Sequence, residues 1–287
     1  MFFTPLFWHI CTRFVYDSDG TFILINLSME KVNSKDGTVI TYNRAGAGHP
    51  LIMVDGAFCS SIMGPSIEGV PLFAQHFDVI SYDRRGRNES GDTKPYAVER
   101  EIEDLDALIN VTGGAAYVFG HSSGAALALS ATAAGLNITK LALYEPPYYT
   151  GNDKIIPADA EEQLKTMIAA DKRSDAVKFF LKDLIGIPAI VVFIMRLLPV
   201  WKKLKAIAHT TPYDIAILDN FRFPFEKAAS IKIPVLLSGG DKSQVMLQHS
   251  VQKLAEVMPN STLKILKGQD HSASMKVIAP VVIEFLK

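Results

Sequence analysis

Short apolar runs alternate with amphipathic stretches along most of the chain. The run at 51–54 is continuously apolar, as is typical of a strand buried on both faces of a sheet, and the runs at 78–82 and 141–144 predict two further strands. Between two of them, residues 98–111 place apolar side chains at helical spacing with acidic ones opposite, which predicts a crossover helix. The alternation predicts an α/β fold with a mostly parallel, doubly wound sheet.

The beginning of the chain follows a different pattern. Two alternating runs flank an Asp-Gly turn signal at 35–37 and predict a β-hairpin that starts near Met29. Residues 1–28 lack a basic start, and proline and charged residues interrupt their apolar stretch, so they make a poor signal peptide. We therefore expect an N-terminal extension over 1–28 and a working protein that starts near Met29.

The alternation of strand and helix stops between 150 and 225, where the pattern becomes helical. We expect a helical cap inserted there after the sixth strand, with the core domain formed by 29–149 and 226–287. The apolar stretch 185–201 is broken by Pro188, Arg196 and Pro199 and is shorter than the ~20 residues of a membrane span, so we expect it to line the cap. The predicted cap helices are 159–170, 174–184, 189–208 and 212–221.

Composition narrows the classes of partner. The 287 residues carry 29 basic and 30 acidic side chains without long blocks of one sign, which argues against nucleic acid or an anionic membrane and for a small-molecule partner. The two cysteines, Cys11 and Cys59, lie far apart, which favours a reducing compartment such as the cytoplasm. The seven histidines form no metal-binding pair, and Gly46 and Gly48 lack the third glycine of a dinucleotide loop, so we expect neither metal nor cofactor.

The stretch 120–124 reads GHSSG and carries the clearest chemical signal. Strand-forming residues precede it and an alanine-rich helical stretch follows it, as a nucleophile elbow requires. Ser122 would lie at the sharp turn, while Gly120 and Gly124 leave room for the crowded backbone around it.

The sequence resembles the α/β-hydrolase superfamily over residues 30–287. Among the branches of that superfamily, it is most similar to small capped serine hydrolases related to esterases and cofactor-free haloperoxidases. The resemblance is carried by six stretches, which are VDGAF, DRRGRNESG, GHSSG, LYEPP, GGD and GQDH. It implies that Ser122 is the nucleophile and His271 the general base. It also implies an oxyanion hole formed by the backbone amides of Ala57 and Ser123. His121, beside the nucleophile, is expected only to pack.

The triad acid has two candidates. Asp241 follows the strand near 235 as the family expects, although it lies one residue nearer the glycine than usual. Glu145 follows the preceding strand, where haloalkane dehalogenases keep their acid. Both would reach the same end of the sheet, and we favour Asp241.

A second departure from the family pattern is Asp55, which stands where a histidine usually precedes the oxyanion glycine. A carboxylate there would oppose the oxyanion unless it is paired or turned away. Arg84 or Arg85 would be its partner, or else Asp55 caps backbone amides of its loop.

The function that the resemblance implies is hydrolysis of a carboxylic ester through an acyl-enzyme on Ser122, with thioesters and lactones equally compatible. Perhydrolase or hydroxynitrile lyase chemistry uses the same triad, and a ligand-binding scaffold without turnover is a further alternative. Dehalogenase and epoxide hydrolase chemistry are disfavoured because they need a carboxylate nucleophile at this position.

Overall fold

A computed structural model of the chain describes residues 10–16, 22–151 and 156–287. Within this part lies a nine-stranded sheet in the order β1-β2-β3-β5-β4-β6-β7-β8-β9. Five neighbouring pairs are parallel, and the three pairs at the β1 edge are antiparallel. The predicted α/β fold with a mostly parallel sheet is confirmed, and the sheet is mixed. The strands are β1 (Ile10–Tyr16), β2 (Phe22–Asn33), β3 (Val39–Gly46), β4 (Pro50–Val54), β5 (Asp78–Tyr82), β6 (Ala116–His121), β7 (Ile138–Tyr144), β8 (Val235–Gly240) and β9 (Ser261–Leu266).

Helices cover both faces of the sheet. In the central strand β4, Leu51 and Met53 point into one apolar core and Ile52 and Val54 into a second core on the opposite face. This explains why the run is apolar at every position, because neither face meets water. The helices are α1 (Ser66–Phe73), α2 (Val98–Val111), α3 (Ser123–Ala133), α4 (Ala160–Ala169), α5 (Arg173–Lys178), α6 (Ala189–Arg196), α7 (Val200–Ala206), α8 (Thr211–Ile217), α9 (Phe225–Ser230), α10 (Val245–Val257) and α11 (Met275–Leu286). Helices α1 and α11 contribute to the first core, and α2, α3 and α8 to the second.

The predicted hairpin is present between β2 and β3. The backbone N–H of Thr38 donates to Asp36 Oδ1 at 3.0 Å, and Gly37 has a φ of 82°, a value that favours glycine. Strand β2 begins at Phe22, upstream of the predicted start at Met29, and pairs with β1. The prediction of an extension over 1–28 falls partly on residues 1–9 and 17–21, which lie outside the described residues, and it stays a prediction.

The described part of the interval between β7 and β8 is mainly helical, as its pattern predicts. It follows the seventh strand of this sheet because β1 adds one strand to the predicted count. A single helix over 189–208 is wrong: α6 ends at Arg196 and α7 starts after Pro199, since proline lacks the N–H and its ring clashes with the preceding turn. A π-helical turn, Phe179–Leu184, continues α5. In the three described ranges, no helix has the length and apolarity needed to cross a membrane.

Candidate active site

Ser122 lies at a tight turn between β6 and α3. Its φ of 56° and ψ of −126° are unusual for a residue with a side chain, and such strain is kept where the surroundings enforce it. A Cβ on Gly120 would lie 2.6 Å from Ala125 Cα, and one on Gly124 would lie 2.1 Å from the Val54 carbonyl oxygen. Only glycine fits at either position, so the strand, turn and helix of a nucleophile elbow are formed as the sequence predicts.

His271 joins Ser122 to an acidic side chain. Its Nε2 lies 3.1 Å from Ser122 Oγ, and its Nδ1 lies 2.7 Å from Glu145 Oε2. The Glu145 side chain is 1% exposed and that of His271 is 40% exposed. With the proton on Nδ1 donated to the carboxylate, Nε2 keeps the lone pair that can accept the Ser122 proton.

The second oxygen of Glu145 is also held. Glu145 Oε1 accepts hydrogen bonds from the backbone N–H of Gly240, at 2.6 Å, and from the hydroxyl of Ser243. A Cβ on Gly239 would lie 3.1 Å from Glu145 Cγ, so the glycines at the end of β8 make room for this carboxylate. Both oxygens are therefore fixed, and Oε2 is directed at His271.

The geometry argues against Asp241, which was favoured from the sequence as the triad acid. Its Oδ1 accepts from the Gly268 backbone N–H at 2.6 Å, and the residue is exposed. Gly240, one residue earlier, faces the loop of His271, because a Cβ there would lie 2.1 Å from the Gln269 carbonyl oxygen. The one-residue displacement noted in the sequence thus turns Asp241 away from the imidazole, and it supports the turn that leads to His271.

Two backbone amides flank Ser122. Ser123 is the first residue of α3, so its N–H has no acceptor within the helix and lies at the positive end of the helix dipole. The loop that carries Ala57 passes directly against Ser122, since a Cβ on Gly56 would lie 2.9 Å from Ser122 Cβ. The loop that carries Ala57 and the first residue of α3, Ser123, therefore both adjoin Ser122.

His121 is buried beside the site and packs in the manner expected for it. Its ring stacks on Tyr144 with an interplanar angle of 11°, and its centroid lies 5.1 Å from that of His271. Burial, together with the nearby charge of His271, lowers the pKa of His121 to about 3. His121 is therefore neutral at physiological pH.

Asp55 accepts a hydrogen bond from the first residue of helix α1. Its Oδ2 accepts from the Ser66 backbone N–H at 3.4 Å, and burial raises its pKa to about 6. The predicted pairing of the Asp55 carboxylate with Arg84 or Arg85 is wrong. Arg84 contacts the backbone carbonyl oxygen of Asp55 and not its carboxylate, and Arg85 binds Asp104. Both guanidinium groups already have carboxylate partners, so the amide-capping alternative is the one that the structure contains.

Sequence reasoning missed a buried ionic cluster behind the two amides. Arg87 and Asp214 are fully buried, and Asp214 contacts Ser123. The available signal was Asp214 itself, an acid inside the otherwise uncharged helix α8, because a buried charge needs a partner. The partner could not be inferred, since Arg87 lies 127 residues away along the chain.

With the fold and this geometry in place, comparison with known proteins establishes the family. A model of the alpha/beta hydrolase family matches residues 43–280, and the chain belongs to that family. The comparison with curated proteins gave no match.

Solved structures agree with this assignment. An alpha/beta hydrolase from Sphaerobacter thermophilus is 44% identical with a TM-score of 0.85, over 90% of this chain and 100% of that one. A bromoperoxidase from Bacillus anthracis is 20% identical with a TM-score of 0.67, over 90% and 99% of the two chains. An esterase from Exiguobacterium antarcticum is 21% identical with a TM-score of 0.64, over 89% and 97%. The latter two show the fold alone, and together the comparisons support a hydrolase.

Proposed function

We propose that the protein is a serine hydrolase that cleaves carboxylic ester, thioester or lactone bonds of small apolar molecules. The observation that carries this proposal is the hydrogen-bonded chain from Ser122 through His271 to Glu145, with distances of 3.1 and 2.7 Å. Nucleophile, base and orienting acid stand in the arrangement that nucleophilic acyl transfer needs.

The reaction starts at Ser122. Its Oγ attacks the substrate carbonyl carbon while His271 Nε2 accepts the hydroxyl proton, and the carbonyl oxygen becomes an oxyanion. The backbone N–H groups of Ala57 and Ser123 donate to this oxyanion, which carries full charge only in the tetrahedral state. His271 then returns the proton to the leaving oxygen or sulfur, and the acyl group remains on Ser122.

Water completes the cycle. His271 Nε2 removes a proton from a water molecule, which attacks the carbonyl carbon of the acyl-enzyme. His271 then returns this proton to Ser122 Oγ as the bond to the acyl carbon breaks, which releases the acid and restores the Ser122 hydroxyl and the neutral imidazole. Glu145 keeps the second proton on Nδ1 and stabilises the imidazolium that forms in both halves of the reaction. In this proposal Glu145, and not Asp241, is the triad acid. No metal or cofactor takes part.

The helical interval 150–225 acts as a cap in this proposal. Phe58, which follows Ala57, packs edge to face on Phe180 at a centroid distance of 5.2 Å, so a cap side chain contacts the loop of the oxyanion hole. The core domain is then formed by 29–149 and 226–287. The apolar composition of the cap supports an apolar acyl or alcohol group, and the sparing use of cysteine supports a cytoplasmic location.

Turnover and acyl-enzyme formation test the proposal. The purified protein is assayed with p-nitrophenyl esters of increasing acyl length, an acyl thioester and a γ-lactone, and Ser122→Ala serves as the control. We expect hydrolysis that Ser122→Ala abolishes, and a mass increase of one acyl group on the peptide that contains Ser122. Saturable binding of these compounds without turnover would reject the enzyme and favour a ligand-binding scaffold.

A further inference from the structure

An ionic cluster of Arg84, Arg87, Glu101 and Asp214 lies behind the candidate oxyanion hole. None of the four side chains is more than 1% exposed. Two positive and two negative charges balance, but removing charges from water is costly, and a buried ion pair is weak evidence for stability. The contacts that the cluster makes with its surroundings are therefore a better guide to its role than any contribution to stability.

Arg87 connects the cluster to one of the two amides. Its Nη2 donates to both oxygens of Asp214, at 2.8 and 2.9 Å, and its Nη1 donates to the Gly56 carbonyl oxygen at 2.6 Å. In a trans peptide the carbonyl of Gly56 and the N–H of Ala57 point in opposite directions from one plane. By holding the carbonyl, Arg87 fixes the direction in which the Ala57 N–H points.

Asp214 connects the cluster to the other amide. Its Oδ1 accepts from the Ser123 hydroxyl at 2.7 Å, so the carboxylate that binds Arg87 also anchors the residue that provides the second N–H. Arg84 donates to the same oxygen at 2.8 Å and forms two hydrogen bonds with Glu101 through its other edge. One carboxylate on α8 thus joins both sides of the oxyanion hole.

The charge of Asp214 is maintained despite its burial. Burial alone would raise the pKa of this carboxyl, but the attraction of Arg87 and Arg84 outweighs it and lowers the pKa below its ordinary value. The carboxylate is therefore ionised near neutral pH, and its hydrogen bonds do not depend on pH in that range.

We propose that Asp214 and Arg87 are positioning residues that hold the backbone amides of Ala57 and Ser123 in place for the oxyanion. The inference rests on the proposed function. It extends that function by giving a role at the oxyanion hole to helix α8, which belongs to the proposed cap. Docking of this helix would then complete the oxyanion hole. Neither side chain touches the substrate, and each acts through a backbone group next to Ser122.

Two variants test the positioning role. Arg87→Lys keeps the charge, but one ammonium group cannot reproduce the fork that reaches Asp214 and the Gly56 carbonyl together. Ser123→Ala removes the hydroxyl that Asp214 binds and leaves the backbone N–H and all buried charges. Removal of an oxyanion donor typically costs about 10²–10³ in kcat, so a displaced donor should cost about 10- to 100-fold in each variant.

The pattern of the loss separates positioning from a structural defect. We expect KM to stay within about threefold, because the oxyanion contact is made only in the tetrahedral state. A trifluoromethyl ketone, which forms a tetrahedral adduct with Ser122, should bind more weakly by about the same factor as kcat/KM falls.

The matched control is Asp104→Asn, which breaks a buried ion pair of 2.7 Å with Arg85, from the same loop but away from both amides. It should cause no selective loss of kcat or of ketone affinity, whatever its effect on the melting temperature. The inference is overturned if Arg87→Lys and Ser123→Ala behave as this control does. If Arg87→Lys does not fold, Ser123→Ala decides alone. A wild type without turnover or acyl-enzyme would refute the proposed function, and this inference with it, whereas an active wild type with normal variants refutes the inference only.

Discussion

Replacing Glu145 by glutamine changes the carboxylate behind His271 while keeping its size. The Oε1 side faces two donors, the Gly240 N–H and the Ser243 hydroxyl, so the glutamine carbonyl oxygen will remain there. The amide NH₂ then faces His271 Nδ1 and requires a lone pair on it. The proton consequently moves to Nε2, which can no longer accept from Ser122.

The size of the effect follows from the distance and the burial. At 2.7 Å and an effective dielectric constant of 20, a carboxylate and an imidazolium attract each other by about 6 kcal/mol. Because the His271 side chain is 40% exposed, solvent weakens this attraction, and we expect a loss of about 4–5 kcal/mol. That corresponds to about 10³- to 10⁴-fold in kcat.

The assay is steady-state hydrolysis of the ester that the wild type cleaves fastest, with thermal melting to confirm folding. Asp241→Asn is the matched control, because this exposed side chain holds Gly268 and does not contact the imidazole. We expect its kcat within about threefold of the wild type. An active Glu145→Gln together with an inactive Asp241→Asn would show instead that Asp241 is the acid that orients His271.

Three further predictions concern stability. Gly124→Ala would bring a methyl group to 2.1 Å from the Val54 carbonyl oxygen, so we expect a loss of at least about 3 kcal/mol, and an unchanged melting temperature would contradict the tight elbow. His121 has its pKa lowered to about 3, so the unfolded chain binds the extra proton and stability is lost as the pH falls from about 6.5 towards 3. Urea unfolding at several pH values should show a smaller loss in His121→Phe, and equal losses would argue against a buried neutral imidazole. Asp55 has its pKa raised to about 6, so its stabilisation is present below about 3.8 and lost as the pH rises through 6. Asp55→Asn should accordingly be more stable than the wild type by up to about 3 kcal/mol at pH 7.5 but not at pH 3.5, and a gain that does not depend on pH would exclude this cause.

Local signals predicted much of the fold and the centre of the site. The elbow could be recognised because Gly120 and Gly124 lie within two residues of Ser122, and both are needed to avoid backbone clashes at the turn. The same holds for the hairpin turn at Asp36 and Gly37. Pro199 carries an equally local signal for a helix break. The predicted single helix over 189–208 was wrong because the apolar pattern on both sides of Pro199 was given more weight than the proline.

The remaining parts depend on contacts that sequence spacing does not contain. Glu145 and Asp241 follow neighbouring strands and lie at the same edge of the sheet. A difference of one residue in position after the strand therefore decides which carboxylate reaches His271. Arg87 and Asp214 meet only when α8 packs against the sheet domain. Their pairing follows from tertiary packing, which no local pattern reports.

The proposed function requires that Ser122 is a nucleophile activated by His271. Labelling with a fluorophosphonate probe, followed by peptide mapping, tests this requirement in the wild type, Ser122→Ala and His271→Ala. We expect rapid, stoichiometric labelling at Ser122, none in Ser122→Ala, and labelling at least about 10²-fold slower in His271→Ala, since general-base assistance contributes about that much. A folded wild type that is not labelled, or that is labelled equally fast without His271, would contradict the proposed function.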